Sequence, residues 1–204
     1  MKSFRSRSML ALAALVAGIL ATTASAQNLA WTVHGSKTAL TAAASDVQKV
    51  NYFSNANTSG APDGKVRISN PGSPTGNLCA QIYVFSPVEE LTECCACLVT
   101  PNGLRKLSVD GDLTANPLNG TTLTDGEVTI ISGYTNNNIC SPLNDIVSPT
   151  IRAWGTHIDD SFLITETEYS DRSLGIWNDN LLTDCYAISL AGSGHGVCSC
   201  GTGD

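Results

Sequence analysis

The stretch ELTECCACLVTPNG, residues 90–103, places three of the chain's eight cysteines within four positions. Cysteines this close together form a metal cage, a redox centre or one side of a set of disulfides. The compartment decides among these possibilities, because disulfides persist in oxidising surroundings and are rare in the cytosol. The meaning of the cluster therefore depends on where the chain is delivered, which its N-terminal segment indicates.

Residues 1–26 have the pattern of a secretory signal peptide. They begin with three basic side chains, continue with an apolar run over 9–20 and end in Ala-Ser-Ala, the small-x-small pattern that a signal peptidase cuts. The apolar run is shorter than the ~20 residues that a helix needs to cross a bilayer, which disfavours the alternative of an uncleaved anchor. The sequence predicts a secreted product, extracellular or periplasmic, with one domain over 27–204 and no membrane span.

Export favours disulfides for the cysteines. An even number in an oxidising compartment indicates a disulfide framework, whereas zinc sites favour separated C-x-x-C pairs, and adjacent cysteines tend to diverge. We therefore expect disulfides and no metal or other cofactor, with a metal site and a working redox pair as the alternatives. All eight cysteines lie beyond the predicted cleavage site: Cys79, Cys94, Cys95, Cys97, Cys140, Cys185, Cys198 and Cys200.

Eight cysteines allow 105 pairings, and the sequence narrows them only by hypothesis. The glycine-rich tail over 192–204, GSGHGVCSCGTGD, contains two cysteines, and we expect it to be stapled to the 94–97 cluster because a glycine-rich terminus otherwise frays. In this hypothesis Cys79 competes for the same partners. Cys140 and Cys185 are then left to pair with each other.

The composition indicates an acidic, strand-rich protein. The chain has a formal charge of −7, and since residues 1–26 carry three basic and no acidic side chains, the remainder carries −10. An acidic surface argues against nucleic acid and anionic membranes as partners, because both attract basic patches. An extracellular ligand or a cell-surface component remains as the expected partner. Abundant Thr, Ser, Asn and Gly suit short strands joined by turns.

Runs of β-branched and aromatic residues bounded by turn signals predict seven strands. Seven short strands with tight links predict a mainly β fold, a single elaborated antiparallel β-sandwich or jelly-roll with one or two short helices, stabilised by disulfides. The predicted strands are Lys65–Ser69, Leu78–Ser86, Cys97–Thr100, Leu104–Val109, Glu127–Ser132, Thr150–Ile158 and Phe162–Tyr169.

Several local features refine this prediction. The turn TPNG, residues 100–103, predicts a hairpin, and Asp159–Asp160 predicts a second one. Both faces of Ala80–Phe85 are partly apolar, which indicates a central strand. Residues 39–50 fit a helix or a strand that pairs with the N-terminus, whereas residues 179–188 show the apolar spacing of a helix.

No specific catalytic motif is present. Ser193 lacks the flanking glycines of the G-x-S-x-G nucleophile elbow, an even cysteine count leaves no free thiol nucleophile, and the histidines lack ligand spacing. His157 fits a core or edge position on a strand. Glu166 and Glu168 share a strand face and are the candidate acidic pair of a glycosidase, which needs two carboxylates about 5 Å or about 6.5–9.5 Å apart. Any alternating pair on a solvated surface also shares a face.

The remaining candidates are binding residues. Asp110–Asp112 and Asp159–Asp160 offer oxygen ligands for calcium, although their positions in turns favour a purely conformational role. Trp154 alternates with polar residues along its strand and is the speculative ligand-binding residue, a platform for a sugar ring. The sequence thus predicts a non-catalytic secreted domain for adhesion, surface structure or ligand binding, with carbohydrate as one possible ligand. The alternative is a secreted, glycosidase-like hydrolase that uses acidic residues.

Overall fold

The computed structural model describes residues 46–72, 76–135, 137–141, 146–148, 151–174 and 178–201. The predicted signal over 1–26 and residues 39–45 of the first helix candidate lie outside the described residues.

The described residues form two antiparallel sheets, which confirms the prediction of a mainly β, disulfide-stabilised sandwich. The first sheet has the order β10-β1-β6-β3-β4, with β7 paired to the end of β6, and the second has the order β5-β2-β8-β9. The strands are β1 (Gln48–Phe53), β2 (Lys65–Ser69), β3 (Leu78–Phe85), β4 (Leu91–Val99), β5 (Leu104–Ser108), β6 (Gly126–Tyr134), β7 (Ile146–Val147), β8 (Arg152–Ile158), β9 (Ile164–Glu168) and β10 (Ser170–Arg172). A π-helical turn spans Val109–Leu113 and the helix α1 spans Asn178–Leu190.

Strand β3 is the central strand that its two apolar faces predict. Seven of its eight residues are buried, because it pairs with β4 on one side and β6 on the other and is covered on both faces. Its Leu78, Ala80, Ile82 and Val84 belong to the core between the two sheets, whereas Tyr83 lies in a second apolar cluster on the outer face of the first sheet.

Helix α1 covers that outer face and confirms the helix predicted over 179–188. Its Leu181, Leu182 and Ile188 pack against the second apolar cluster, which includes Tyr83 and Ile131. Among the described residues, no helix combines the length and apolar character that a membrane crossing requires.

All eight cysteines form disulfides, and their pairing follows the alternation of strand β4. Cys94 bonds Cys185 of α1 on the outer face, while its neighbour Cys95 bonds Cys198 in the tail. Adjacent strand residues point to opposite faces, so one dipeptide holds both the helix and the tail. A second bridge to the tail joins Cys97 to Cys200. The two bridges confirm that the tail is stapled to the 94–97 cluster.

The expected pairing of Cys140 with Cys185 is wrong. Cys140 bonds Cys79, and Cys185 bonds Cys94. Cys79 therefore does not compete for the tail, because on β3 its nearest partner comes from the segment that follows β6. Cys185 is turned towards the sheet by the packing of α1, where Cys94 lies directly beneath it.

The stapled tail also protects a sheet edge. Cys94 donates its backbone N–H to the Gly196 carbonyl at 2.9 Å, and Cys198 donates to the Cys94 carbonyl at 3.1 Å, which makes a parallel bridge between Cys94 and Val197. Strand β4 would otherwise present a free edge, a template for pairing with other chains. The tail thus acts as a short extra strand beside β4.

Two local predictions change in the structure. The turn over 100–103 is closed by the Gly103 N–H donating to the Thr100 carbonyl at 2.8 Å, but it joins β4 of the first sheet to β5 of the second, so it is not a hairpin. Turn residues predict that the chain reverses its direction, but they do not determine with which strand the next strand pairs. Within 39–50, the described part enters β1, which pairs with β6 and β10 instead of the N-terminus.

The hairpin at Asp159–Asp160 is confirmed by the pairing of β8 with β9.

Candidate functional site

An open cleft of about 680 Å³ lies at one end of the first sheet, where β1 and β3 end and β6 begins. We call it the end cleft. Its volume falls within the range of small-molecule and cofactor sites. It is lined by Tyr52, Phe53, Ser54, Phe85, Ser86, Pro87, Glu89, Asp125, Gly126 and Glu127.

A row of three residues crosses the end cleft from strand to strand. Tyr52 of β1 is paired in register with Glu127 of β6, and Glu127 is paired with Phe85 of β3. Residues directly opposite on neighbouring strands have their Cβ atoms about 4.5–5.5 Å apart. A carboxylate therefore lies between two aromatic residues, at the end of the face where Phe85 already contacts the apolar cluster beneath α1.

The Tyr52 ring is supported from the second sheet by His157. The two ring centroids are 4.0 Å apart and the rings are tilted by 38°. His157 lies 2.5 Å from Thr167 Oγ1 through Nε2, and burial lowers its pKa, which favours the neutral imidazole. His157 is therefore a buried supporting residue, as its strand position predicts, while Tyr52 remains 60 % exposed.

The floor of the end cleft is fixed by close packing at Gly126. A Cβ atom at this position would lie 2.4 Å from the Phe85 carbonyl oxygen and 2.6 Å from the Phe53 ring, so only glycine fits without movement. Nearby, Ser54 Oγ donates to the Ile158 carbonyl at 2.7 Å and ties the end of β1 to the second sheet. These contacts fix the backbone beside Tyr52, Glu127 and Phe85.

Three carboxylates line the end cleft, and each is exposed. Asp125 accepts from Thr124 Oγ1 at 2.8 Å and Glu127 accepts from Thr129 Oγ1 at 3.1 Å. Glu89 has a φ of 66°, a left-handed conformation that is uncommon outside glycine, and its N–H donates to the Ser86 carbonyl at 3.0 Å. Aromatic faces beside exposed oxygen acceptors can bind a ligand that has both apolar faces and polar hydrogens.

Trp154, the binding residue predicted from the sequence, lies elsewhere. It is half-buried on β8 of the second sheet, in register with Arg67 on β2 and Glu168 on β9. Its neighbours are thus charged groups of both signs, and the structure does not bring it together with the end cleft. Its role as a sugar platform stays a prediction.

The acidic pair predicted as a glycosidase candidate lies on the same charged sheet. Glu166 forms an ion pair with Arg67 at 2.6 Å, and Glu168 lies 3.8 Å from Arg152. Both glutamates are exposed on the edge strand β9. Their arrangement is that of a solvated, ion-paired surface.

The calcium candidates hold turns together through their own hydrogen bonds. Asp159 accepts from Ser161 and from the backbone N–H of Leu163, and the Ser161 hydrogen bond lowers its pKa. Asp112 accepts from the Ser108 N–H and from Ser199 Oγ, both at 2.8 Å. These contacts fit the conformational role.

One cluster has the spacing of a metal site but the wrong chemistry. The sulfur atoms of Cys95, Cys97 and Cys200 lie within 4.8 Å of one another. Each is bonded to another sulfur, and metal binding requires a thiolate.

A buried carboxyl that no spacing signal marks is Glu93 of β4. It is fully buried, and its Oε1 accepts from the Asn116 N–H at 2.8 Å, whereas Oε2 has no hydrogen-bond partner among the described residues. Burial raises the pKa of Glu93 to about 7. Glu93 does not line the end cleft.

The residues of the end cleft come from three strands far apart in the sequence, and no motif groups them. The available signal is weaker: two aromatic residues stand at strand ends beside turn residues, in YFSN (52–55) and FSP (85–87), and the acidic pair flanks a glycine in DGE (125–127). Only the strand register joins these signals into one site.

No family model, curated protein or solved structure matches this chain.

Proposed function

We propose that this protein is an exported, non-catalytic β-sandwich that binds a carbohydrate ligand in the end cleft. The single observation that carries the proposal is the cross-strand row of Tyr52, Glu127 and Phe85 along an open cleft of about 680 Å³. Export is supported by the signal pattern of residues 1–26 and by four disulfides, which form in oxidising compartments.

Sugar rings match the chemistry of this row. One face of a pyranose carries C–H groups that pack on an aromatic ring, while the hydroxyl groups around the ring donate to carboxylate oxygens. Tyr52 and Phe85 supply the rings, and Glu127 and Asp125 supply the acceptors. Because the end cleft is open, it accommodates part of a longer glycan.

A glycan-binding screen followed by titration calorimetry tests the proposal, with the protein recovered from an oxidising compartment. We expect Tyr52→Ala to weaken binding of the selected glycan about tenfold or more, a loss of about 1.4 kcal/mol, and Tyr52→Phe to retain most of the affinity. Tyr186→Ala is the matched control, since Tyr186 lies on α1 and is also exposed.

Two results of this experiment would count against the end cleft. Unchanged affinity in Tyr52→Ala would place the ligand elsewhere, and loss of affinity in Trp154→Ala alone would place it on the second sheet. Failure of the wild-type protein to bind any glycan would remove the carbohydrate proposal.

A secreted hydrolase is the second candidate, because three carboxylates share the end cleft. Glycoside hydrolysis requires two carboxyl groups on either side of the scissile bond, and Glu127 with Asp125 or Glu89 would supply them. Incubating the protein with the bound glycan and analysing the products by mass spectrometry separates the two candidates. Cleavage that disappears in Glu127→Gln while binding persists would establish the hydrolase.

A further inference from the structure

We infer that Asn119 is an acceptor site for an N-linked glycan, attached as the chain is exported. The triplet NGT, residues 119–121, has the acceptor pattern N-x-S/T with a residue other than proline in the middle. Along the whole chain one other triplet, NTS at residues 57–59, has this pattern. Attachment requires the proposed export of the chain and does not depend on what the end cleft binds.

The first observation is that the triplet at 119–121 has open space around it. It lies in the connection between the π-helical turn and β6, and all three of its residues are exposed. The Gly120 N–H donates to the Pro117 carbonyl at 3.0 Å, which closes a turn. A Cβ atom built at Gly120 would meet none of the described atoms within 4 Å. The turn therefore has room for a bulky, hydrated group such as a glycan.

The second observation is that the atom to be modified, Asn119 Nδ2, is held only weakly. Among the described residues its hydrogen-bond contact is with Glu90 Oε2 at 3.5 Å, longer than the 2.7–3.2 Å of a usual N–H···O bond. Glu90 is itself exposed. A sugar on Nδ2 thus displaces one long surface contact and no buried group.

The third observation is that the other triplet has the opposite surroundings. Asn57 is also exposed, but its Nδ2 donates to Thr114 Oγ1 at 2.8 Å and to the Leu123 carbonyl at 2.9 Å. Both amide hydrogens are therefore used, and Thr114 and Leu123 are buried. A sugar on this nitrogen replaces one of the hydrogens and needs the space that one of these residues occupies. The folded protein accommodates a glycan at Asn119 and excludes one at Asn57.

The modification is a glycosyl transfer from an oligosaccharide whose C1 is linked to a lipid pyrophosphate. The exporting cell supplies this donor together with its transferase. Asn119 Nδ2 forms a bond to C1, the bond between C1 and the pyrophosphate oxygen breaks, and the lipid pyrophosphate leaves with the electron pair. Nδ2 gives up one proton and keeps its second hydrogen. Asn119 Oδ1 remains free to accept from the Thr121 N–H, as it does at 2.9 Å in the structure.

The test is to express the full chain of 204 residues in mammalian cells and to analyse the protein from both the medium and the cells by mass spectrometry. Releasing N-linked glycans with a peptide N-glycosidase in heavy-oxygen water converts each modified asparagine into a labelled aspartate. We expect a single glycan per chain, with the label at position 119 in most copies and no label at position 57.

Two matched variants assign the glycan to its triplet. Thr121→Ala and Ser59→Ala each remove the hydroxyl that completes one triplet, and both hydroxyl groups belong to exposed residues. Each variant leaves its asparagine and the hydrogen bonds of that asparagine in place. We expect Thr121→Ala to abolish the glycan, Thr121→Ser to retain it and Ser59→Ala to leave it unchanged.

The state of residues 1–26 separates the ways in which the inference fails. Unmodified Asn119 in chains that have lost these residues would overturn the inference and leave export standing. Unmodified Asn119 in chains that retain them would overturn the inference and count against export as well. A label at Asn57 in place of Asn119, or a glycan that persists in Thr121→Ala, would also overturn the inference.

Discussion

Replacing Cys95, Cys97, Cys198 and Cys200 with alanine is expected to lower the free energy of unfolding by about 5 kcal/mol and to release the C-terminal tail. The physical reason is the geometry of the loops that these bridges close. With Cys94–Cys185 intact, the first tail bridge closes a loop of roughly 15 residues, worth about 3 kcal/mol. The second bridge closes only a few further residues and adds about 2 kcal/mol by the same relation.

Each bridge alone should therefore be partly redundant. Removing only the Cys97–Cys200 bridge, or only the Cys95–Cys198 bridge, is expected to cost about 2 kcal/mol, because the surviving bridge still holds the tail. Urea unfolding gives the free energies, and amide hydrogen exchange of Cys94 and Cys198 reports whether the tail stays paired with β4. Full exchange at these amides after removal of one bridge, or a loss below about 2 kcal/mol in the four-alanine variant, would contradict this account.

Glu93→Gln is expected to remove a fall in stability that the wild-type protein shows between about pH 4.5 and pH 7. Burial raises the pKa of Glu93 from 4.5 to about 7. Below pH 4.5 the carboxyl is protonated in both the folded and the unfolded chain, so burial carries no ionisation penalty. Between pH 4.5 and pH 7 Glu93 loses its proton in the unfolded chain but keeps it in the folded chain, so the free energy of unfolding falls as the pH rises. Above pH 7 this fall is complete and amounts to about 3 kcal/mol.

The measurement is the free energy of unfolding of wild type and variant at pH 4, 6 and 8. Subtracting the wild-type values from those of the variant removes the contributions of groups that titrate equally in both proteins. We expect the variant to gain about 3 kcal/mol relative to wild type between pH 4 and pH 8. Glu90→Gln, which changes an exposed neighbour, should give parallel curves. Parallel curves for Glu93→Gln itself would show that Glu93 is ionised in the folded protein.

The strand pattern was readable from the sequence because β-branched runs and turn residues are local signals. Strand β3 and the β8–β9 hairpin follow from them directly. Strand β4 begins at Leu91 and not at the predicted Cys97, because Glu93 interrupts the apolar alternation that predicts a strand. Glu93 is buried and accepts a hydrogen bond from the Asn116 N–H, a tertiary contact that no local pattern predicts.

The cysteine pairing and the end cleft show where local signals end. The opposite directions of adjacent strand residues explain why Cys94 and Cys95 have different partners, but the pairing of Cys185 with Cys94 depends on how α1 docks. Tyr52 belongs to a strand that was not predicted as one, and it meets Glu127 only through register. The sequence favours Trp154 as a binding residue because it alternates with polar residues, whereas its surroundings depend on the neighbouring strands β2 and β9.

A single strand, β4, anchors the helix α1 and the C-terminal tail of the β-sandwich through three disulfides. A peptide map of the protein, purified without reductant and analysed by mass spectrometry, is the direct test of this anchoring. We expect four cross-linked pairs: Cys79–Cys140, Cys94–Cys185, Cys95–Cys198 and Cys97–Cys200. Free thiols, a stoichiometric metal ion, or Cys198 joined to Cys200 would contradict it.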